Sequence, residues 1–156
     1  SDLVETLKKN LFPLATLITP NLYEVEELLG QHPTTIAEME KAARELAKLG
    51  PSAVLVKGGH LEGSKEAVDV LWDGENTHTL TAPRLEARHT HGTGCTLSAA
   101  IAANLGRGYA LLEAVRMAKD YLGKAMQNAY AIGSGIGPVN HFWHLEEYVP
   151  DALGDK

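Results

Sequence analysis

Cysteine is almost absent from the chain, since Cys95 is the only one among 156 residues. A single thiol excludes an intrachain disulfide and suits a reducing compartment. Long apolar runs are also lacking, because no stretch approaches the ~20 residues that a helix needs to cross a bilayer. These two absences predict a cytoplasmic protein that has no membrane partner.

Blocks of one charge are lacking as well. The chain carries 14 basic and 20 acidic residues, which gives a formal net charge of -6. Without a basic stripe, nucleic acid or an anionic membrane surface is not favoured as a partner, and a small molecule is predicted instead. A hydrophobic content of 44% over this length suits one globular domain or part of one.

Two helices are predicted in the first third of the chain. The first covers Leu22–Leu29 and ends at Gly30, a residue type that commonly terminates helices. The second has apolar residues at helical spacing from 36 to 49, and Thr34 or Thr35 can cap its start.

Two apolar runs flank these helices and predict buried strands. The first is at 16–21 and ends at Pro20-Asn21, and the second is Ala53–Lys57. A strand, helix and strand in this order predict a parallel pair with a right-handed crossover. Two parallel strands are too few for a covered α/β sheet, so we expect the chain to be part of a larger domain.

An antiparallel ribbon and two more helices are predicted further along. Glu66–Trp72 and Thr77–Leu80 flank an Asp-Gly turn signal, which is typical of a hairpin. The helices are expected at Cys95–Leu105 and from Leu111 to about Asn128. A glycine-rich segment at 133–138 follows, and its glycines fit either a flap over the site or a plain tail.

The most informative segment is 89–95, His-Thr-His-Gly-Thr-Gly-Cys, which runs directly into a helix of small and apolar residues. Gly92 and Gly94 let backbone N–H groups converge at the helix start, where the macrodipole favours negative charge. With Thr93 they predict an anion site for a transferring phosphoryl group. Cys95 lies in the first turn, where the pKa of a thiol falls, and it is predicted to act as a general base.

Two further polar clusters follow the predicted parallel strands. Asn21 and Glu24 follow the first strand, and Lys57-Gly58-Gly59-His60 follows the second, at the strand ends where ligands of open α/β sheets collect. Glu24 is predicted to hold magnesium through ordered water, with helix capping by Asn21 and Glu24 as the alternative. Lys57 offers a positive charge to phosphate, although a lysine at a strand end is often merely solvated.

Two other interpretations carry less weight. His89, His91 and Cys95 are metal-ligand types, as are His141 and His144, but no Cys-x-x-Cys or His-x-x-x-His pair is present. The glycines between the histidines and Cys95 fit an anion nest better than a metal centre. Gly63-Ser64-Lys65 is not a P-loop, because that motif requires the order Gly-Lys-Ser/Thr.

Four motifs together resemble the hydroxymethylpyrimidine/phosphomethylpyrimidine kinases of thiamine biosynthesis. They are Thr19-Pro20-Asn21-Leu22-Tyr23-Glu24, Lys57-Gly58-Gly59-His60, Thr90-His91-Gly92-Thr93-Gly94-Cys95 and Gly137-Pro138-Val139-Asn140-His141-Phe142. Members of the wider ribokinase-like group usually carry aspartate where this chain has Cys95. The resemblance implies an α/β, ribokinase-like three-layer sandwich, of which residues 1–156 are the C-terminal portion of a single kinase domain.

The resemblance also implies a reaction and its residues. The γ-phosphate of ATP would pass to 4-amino-5-hydroxymethyl-2-methylpyrimidine and then to its monophosphate, with Mg2+ as the metal. Cys95 would be the base in both steps, and Gly92, Thr93 and Gly94 would form the anion hole. The nucleotide and magnesium residues would be Lys57, Gly59, Thr19, Asn21, His60 and Glu24.

Two other functions stay open at this point. One is a noncatalytic nucleotide-binding module that acts with a partner chain. The other is a pyridoxal kinase, because some relatives accept both rings. Ribokinase-like enzymes are often dimers and an incomplete sheet has an exposed edge, so a homodimer is expected.

Overall fold

The computed structural model describes residues 2–59, 61, 66–85, 91–131 and 134–148. The chain divides into two compact units, Ser1–Arg84 and Leu85–Lys156. The first unit contains a sheet and helices, whereas the second consists mainly of helices, so the predicted mixed α/β class is confirmed. None of the helices in the described ranges has the length and apolar character needed to cross a membrane.

A helical segment precedes the first strand, where the sequence predicted no element. Helix α1 spans Asp2–Thr6 and continues through a wider π-helical turn, Leu7–Leu11, and a 3-10 turn, Phe12–Leu14. Only Phe12 is buried in this segment. The segment therefore lacks the buried apolar stripe by which an amphipathic helix is recognised in a sequence.

Strands β1, Leu17–Ile18, and β2, Ala53–Gly58, form the predicted parallel pair. The pairing extends beyond β1, because the N–H of Lys57 donates to the carbonyl of Pro20 at 2.8 Å. The prediction that β1 is a buried strand was wrong, since both of its residues are half-buried. Among the described strands, β1 lies at an edge of the sheet and pairs with β2 alone.

Helices α2, Leu22–Leu29, and α3, Ile36–Ala47, each begin with a capping box. At α3, Oγ1 of Thr35 accepts the N–H of Glu38, and the Glu38 carboxylate accepts the N–H of Thr35 at 3.2 Å. Hydrogen bonds from the backbone and side chain of Thr34 lower the pKa of Glu38. Such boxes satisfy N–H groups that the first helical turn leaves free, and they fix where both helices start.

Strands β3, Glu66–Trp72, and β4, Thr77–Pro83, form the predicted hairpin and complete a sheet of order β1-β2-β3-β4. At its turn, the Asp73 carboxylate accepts the N–H groups of Asn76 at 2.7 Å and Glu75 at 2.9 Å, and it also contacts His78. The backbone N–H of Asn76, the His78 side chain and the N–H of Glu75 together lower the pKa of Asp73 to about 2.

The core of the first unit lies between one face of the sheet and the helices α2 and α3. Each large side chain buried there contributes roughly 1.5–3 kcal/mol relative to exposure. The largest fully buried members are Leu22, Val25, Met39, Leu46, Val54, Val56 and Val70. This packing fixes α2 against the sheet and so sets the position of Asn21 at the end of β1.

The second unit is built on helices α4, Thr93–Gly106, and α5, Leu111–Gln127, followed by a 3-10 helix, Trp143–Tyr148. The two helices are joined by a buried hydrogen bond, in which the side-chain Nδ2 of Asn104 on α4 donates to the Ala114 carbonyl on α5. α4 begins two residues earlier than the predicted start at Cys95. The two positions before Cys95 that were predicted as loop are therefore helical, because the chain turns at Gly92.

Candidate active site

The start of α4 has an unusual backbone that only glycine adopts easily. Gly92 is the N-cap, with a φ of +89°, in the left-handed region. The N–H of Thr96 donates to the Gly92 carbonyl at 2.9 Å, which closes the first turn. Among the described residues nothing accepts a hydrogen bond from the N–H of Thr93, Gly94 or Cys95. Three backbone donors are therefore available where the helix dipole favours an anion.

Cys95 occupies the third position of α4, beside these donors. It is a free thiol and it is exposed to solvent. The hydroxyl of Ser98, one turn later, donates to the Gly94 carbonyl at 3.1 Å. The structure places Cys95 and the predicted anion-hole residues Gly92, Thr93 and Gly94 at the first turn of α4, whereas the sequence predicted a loop before Cys95.

The residue before this turn is His91, and it is held by a segment later in the second unit, residues 137–140. His91 donates its N–H to the Gly137 carbonyl at 3.2 Å, and its carbonyl accepts the N–H of Val139 at 3.4 Å. The same segment is tied to α5, because the buried Asn140 donates its N–H to the Ala125 carbonyl at 2.9 Å. The residues 137–140 are thus a brace for the entry into α4 and are not a plain tail.

In the first unit, Asn21 and Lys57 lie side by side at the carboxyl ends of the two parallel strands. They form an isolated parallel bridge beyond β1. The Asn21 Oδ1 atom accepts the N–H of Glu24 at 2.9 Å, while the Glu24 carboxylate accepts the N–H of Asn21 at 2.6 Å. The structure therefore brings three predicted ligand residues together, and it also establishes the capping role that was the alternative for Asn21 and Glu24.

The donor set of Glu24 is compatible with magnesium. Its Oε2 atom takes part in the cap, and the side chain is exposed. Mg2+ usually keeps several waters and takes one or two carboxylates together with phosphate oxygens, so a single carboxylate oxygen suffices. Glu24 and Thr19 also line a cavity of about 340 Å³ between the N-terminal segment, β1 and α2.

The turn after β2 carries Gly59, one of the predicted nucleotide residues. Its first residue is Gly58, whose carbonyl accepts the N–H of Leu61 at 2.8 Å. Gly59 is exposed, and a Cβ added there would meet no atom of the described residues within 4 Å. His60 lies outside the described residues, so its predicted role near the nucleotide stays a prediction.

One neighbour of this turn was missed in the sequence. Asp69 is an acidic residue inside the apolar strand β3, only 6% exposed, and its Oδ1 accepts the N–H of Gly58 at 3.0 Å. A lone carboxylate inside a run of buried apolar residues was the signal that could have drawn attention to it.

Within the described residues, the structure adds no ligand residues to the metal site that was considered as an alternative. The described residues contain no group of three or more His, Cys, Asp or Glu side chains arranged to hold a metal ion. His91 and Cys95 belong to those residues, whereas His89 lies outside them.

The chain is similar to known proteins over most of its length. A family described as phosphomethylpyrimidine kinase matches residues 1–140. The chain belongs to the phosphomethylpyrimidine kinase family. A family member from Streptomyces coelicolor, named hydroxymethylpyrimidine/phosphomethylpyrimidine kinase, is 46% identical over 147 residues, which cover 94% of this chain and 54% of that protein. The predicted family is therefore confirmed.

Two solved structures extend the likeness of this phosphomethylpyrimidine kinase family member to its fold. A Bacillus subtilis pyridoxal kinase in an ADP complex has a TM-score of 0.86 at 36% identity, over 92% of this chain and 56% of that one. A Staphylococcus aureus pyridoxal kinase with AMP-PCP has a TM-score of 0.86 at 34% identity, over 90% of this chain and 52% of that one. The ribokinase-like fold is confirmed by these neighbours. The chain spans about half the length of the curated relatives it matches.

Proposed function

We propose that this chain takes part in the ATP-dependent phosphorylation of 4-amino-5-hydroxymethyl-2-methylpyrimidine and of its monophosphate, in thiamine biosynthesis. The observation that carries the proposal is the first turn of α4, where three N–H groups without an acceptor among the described residues lie beside the exposed thiol of Cys95. The names of the curated relatives support the choice of substrate.

The proposed step needs one base and one set of donors. In the first phosphorylation, the thiolate of Cys95 takes the proton of the acceptor hydroxyl, and the hydroxyl oxygen forms a bond to the γ-phosphorus of ATP. In the second phosphorylation, Cys95 takes the proton of the monophosphate, and an oxygen of that phosphate forms the bond to the γ-phosphorus. The bond from that phosphorus to the bridging oxygen of ADP breaks, and ADP leaves. The N–H groups of Thr93, Gly94 and Cys95 stabilise the charge on the phosphoryl oxygens during transfer.

The nucleotide residues are proposed in the first unit. Lys57 supplies a positive charge to the phosphates, and the open space at Gly59 admits the nucleotide close to the backbone. Asn21 and Glu24 would hold magnesium and phosphate oxygens, and Thr19 and His60 are proposed as further nucleotide residues. A bound Mg2+ would neutralise charge on the phosphates. The S. aureus neighbour supports this part, because it is a pyridoxal kinase in complex with AMP-PCP.

The first test replaces Cys95 by Ala and by Ser. We expect turnover to fall about 100-fold or more, because a general base contributes roughly that factor, while the affinity for Mg-ATP stays within about twofold. Phosphorylated product is measured by mass spectrometry, and Mg-ATP binding is measured by calorimetry. Unchanged turnover in both variants would remove Cys95 from the mechanism.

The only thiol of the chain provides a second readout of the same site. Because Cys95 is the only cysteine, the rate of alkylation by iodoacetamide reports on this side chain alone. The hydroxymethylpyrimidine is expected to slow alkylation, since its hydroxyl lies against the thiol in the proposed complex. Cys95→Ser is the blank for this measurement, and equal rates with and without the pyrimidine would contradict the acceptor position.

Pyridoxal kinase activity is the second candidate, and the two solved neighbours named as pyridoxal kinases favour it. Competition between pyridoxal and the hydroxymethylpyrimidine for phosphorylation separates the two. A preference for pyridoxal would make the chain a pyridoxal kinase in which Cys95 keeps the same role.

A noncatalytic nucleotide-binding module is the remaining candidate, and the observation in its favour is that the chain spans about half of its relatives. Binding of Mg-ATP without phosphorylated product from any acceptor would support it.

We further propose that the chain is the C-terminal portion of a single ribokinase-like domain, that it is cytoplasmic, and that it forms a homodimer. Light scattering tests the dimer.

A further inference from the structure

Asp69 is a buried carboxylate that the proposed function leaves without a role. It lies directly opposite Lys57 in the antiparallel pairing of β2 and β3. Side chains of directly opposed residues project from the same face of a sheet, about 5 Å apart at their Cβ atoms. The carboxylate of Asp69 is therefore beside the residue proposed to contact phosphate.

The carboxylate of Asp69 accepts a hydrogen bond from the backbone. Its Oδ1 atom accepts the N–H of Gly58 at 3.0 Å in a buried environment. A hydrogen bond to an ionised acceptor is about twice as strong as one between neutral groups. Gly58 is the last residue of β2 and the first of the turn that carries Gly59, so the carboxylate holds the turn at its base.

The other end of this turn is held as well. The Leu61 N–H donates to the Gly58 carbonyl at 2.8 Å, and the guanidinium of Arg84 donates to the Leu61 carbonyl at 3.4 Å. Leu61 itself is buried, with 7% exposure. Hydrogen bonds thus anchor both the first and the last residue of the turn, while Gly59 stays exposed.

We propose that Asp69 is a positioning residue for the nucleotide, acting through the N–H of Gly58 to fix the Lys57–Gly59 backbone in the orientation that receives the phosphates. This inference rests on the proposed function, because it presumes that Lys57 and Gly59 contact ATP. Asp69 itself touches neither the nucleotide nor the reacting atoms. Its contribution is preorganisation, since a turn that is already ordered loses less entropy when it binds a ligand.

The experiment compares Asp69→Ala and Asp69→Asn with wild type in the 156-residue chain. Asp69→Asn keeps an oxygen acceptor and nearly the same shape, so it tests the role even where the alanine variant folds poorly. Glu66→Gln removes an exposed carboxylate from the same strand and is the matched control. Amide exchange of Gly58 is followed by NMR, and binding of Mg-ATP and of adenosine is followed by calorimetry.

The expected result has two parts. Loss of the acceptor in Asp69→Ala accelerates exchange of the Gly58 amide at least tenfold and raises the Kd for Mg-ATP about tenfold. Asp69→Asn shows a smaller change of the same sign, about threefold, because the acceptor is retained without its charge. Adenosine binding stays unchanged, since adenosine has no phosphates, whereas a general loss of stability would weaken both ligands.

The outcomes separate this inference from the proposed function. If wild type binds Mg-ATP and both Asp69 variants bind it equally well, the positioning role is overturned and the proposed function stands. Unchanged Gly58 exchange in Asp69→Ala also overturns the role. If wild type binds no Mg-ATP, the proposed nucleotide residues are wrong and the positioning role is lost with them, whatever the amide exchange shows.

Discussion

Gly58 and Gly92 both adjoin proposed phosphate-binding groups, yet they are glycines for opposite reasons. The φ of Gly58 is not positive. However, there is no space for a side chain, because an added Cβ would overlap the Val68 carbonyl oxygen and lie 2.5 Å from the Met39 Cε. Gly92 has room, because no atom of the described residues lies within 4 Å of an added Cβ, but its φ is +89°. Packing therefore requires glycine at the first position, and backbone conformation requires it at the second.

This difference indicates which of the two glycines is open to a ligand. The space beside Gly58 is filled by β3 and α3 of its own unit, so the residue supports the turn from beneath. The space beside Gly92 is empty of described atoms, and the helix donors next to it have no acceptor among the described residues. Among the described residues, the start of α4 at Gly92 is thus open, whereas Gly58 belongs to the core.

The largest expected effect follows from Gly58→Ala. The new methyl group must displace the backbone of β3, and overpacking of this kind costs about 3 kcal/mol of unfolding free energy. Urea denaturation measures the loss. Gly59→Ala is the matched control, because its Cβ meets nothing within 4 Å and its φ is not positive. Equal stability of the two variants would contradict the distinction between a packed and an open glycine.

Gly92→Ala is expected to have an intermediate effect on stability. An L-residue in the left-handed region costs about 1.5 kcal/mol, without any clash. Gly30→Ala is the matched control, since Gly30 has a φ of +74° and is equally free of neighbours. Both variants should lose similar stability in urea, but only Gly92→Ala should weaken phosphate-dependent binding of Mg-ATP. Loss of binding in Gly30→Ala would show that strain alone accounts for the effect.

The smallest effect is expected from acid at the hairpin, which adjoins neither glycine. Hydrogen bonding lowers the pKa of Asp73 to about 2, below the usual value of about 3.9. A carboxyl with a lowered pKa stabilises the fold above about pH 4 and loses that contribution as the pH falls toward 2. Between these pH values the unfolding free energy of wild type should therefore fall further than that of Asp73→Ala. The expected difference is below about 1 kcal/mol.

Urea titrations at several pH values between about 2 and about 5 measure this difference. Thr79→Ala, on the neighbouring strand β4 and exposed, is the control for a change that leaves the Asp73 hydrogen bonds intact. A parallel pH dependence in wild type and Asp73→Ala would mean that the hairpin carboxylate does not contribute to stability.

Local signals in the sequence predicted the parts of the fold that neighbouring residues determine. Gly30 ends α2 as expected, and the Asp-Gly turn gives the hairpin. The start of α4 was placed two residues too late, because Gly92 and Gly94 were both assigned to a turn that precedes the helix. The start follows instead from the left-handed turn at Gly92.

Features that depend on distant parts of the chain could not be predicted in this way. No local pattern indicates that Gly137 pairs with His91, or that the carboxylate of Asp69 reaches the N–H of Gly58. β1 also differed from expectation, because burial depends on how many neighbours a strand has in the sheet and not on its own sequence. The structure brings Asn21, Glu24 and Lys57 together, and the Asn21–Glu24 cap was predicted as an alternative, but the bridge between Asn21 and Lys57 was not predicted.

The link between His91 and the brace at 137–140 also has a consequence for the order of folding. It closes a loop that contains both α4 and α5, so it is formed only after a large loss of chain entropy. Helix contacts within the pair are close in sequence and form more readily. We therefore expect the entry to α4 to be the last part of the second unit to assemble and the first to open, which makes the proposed phosphate donors the most easily lost feature of that unit.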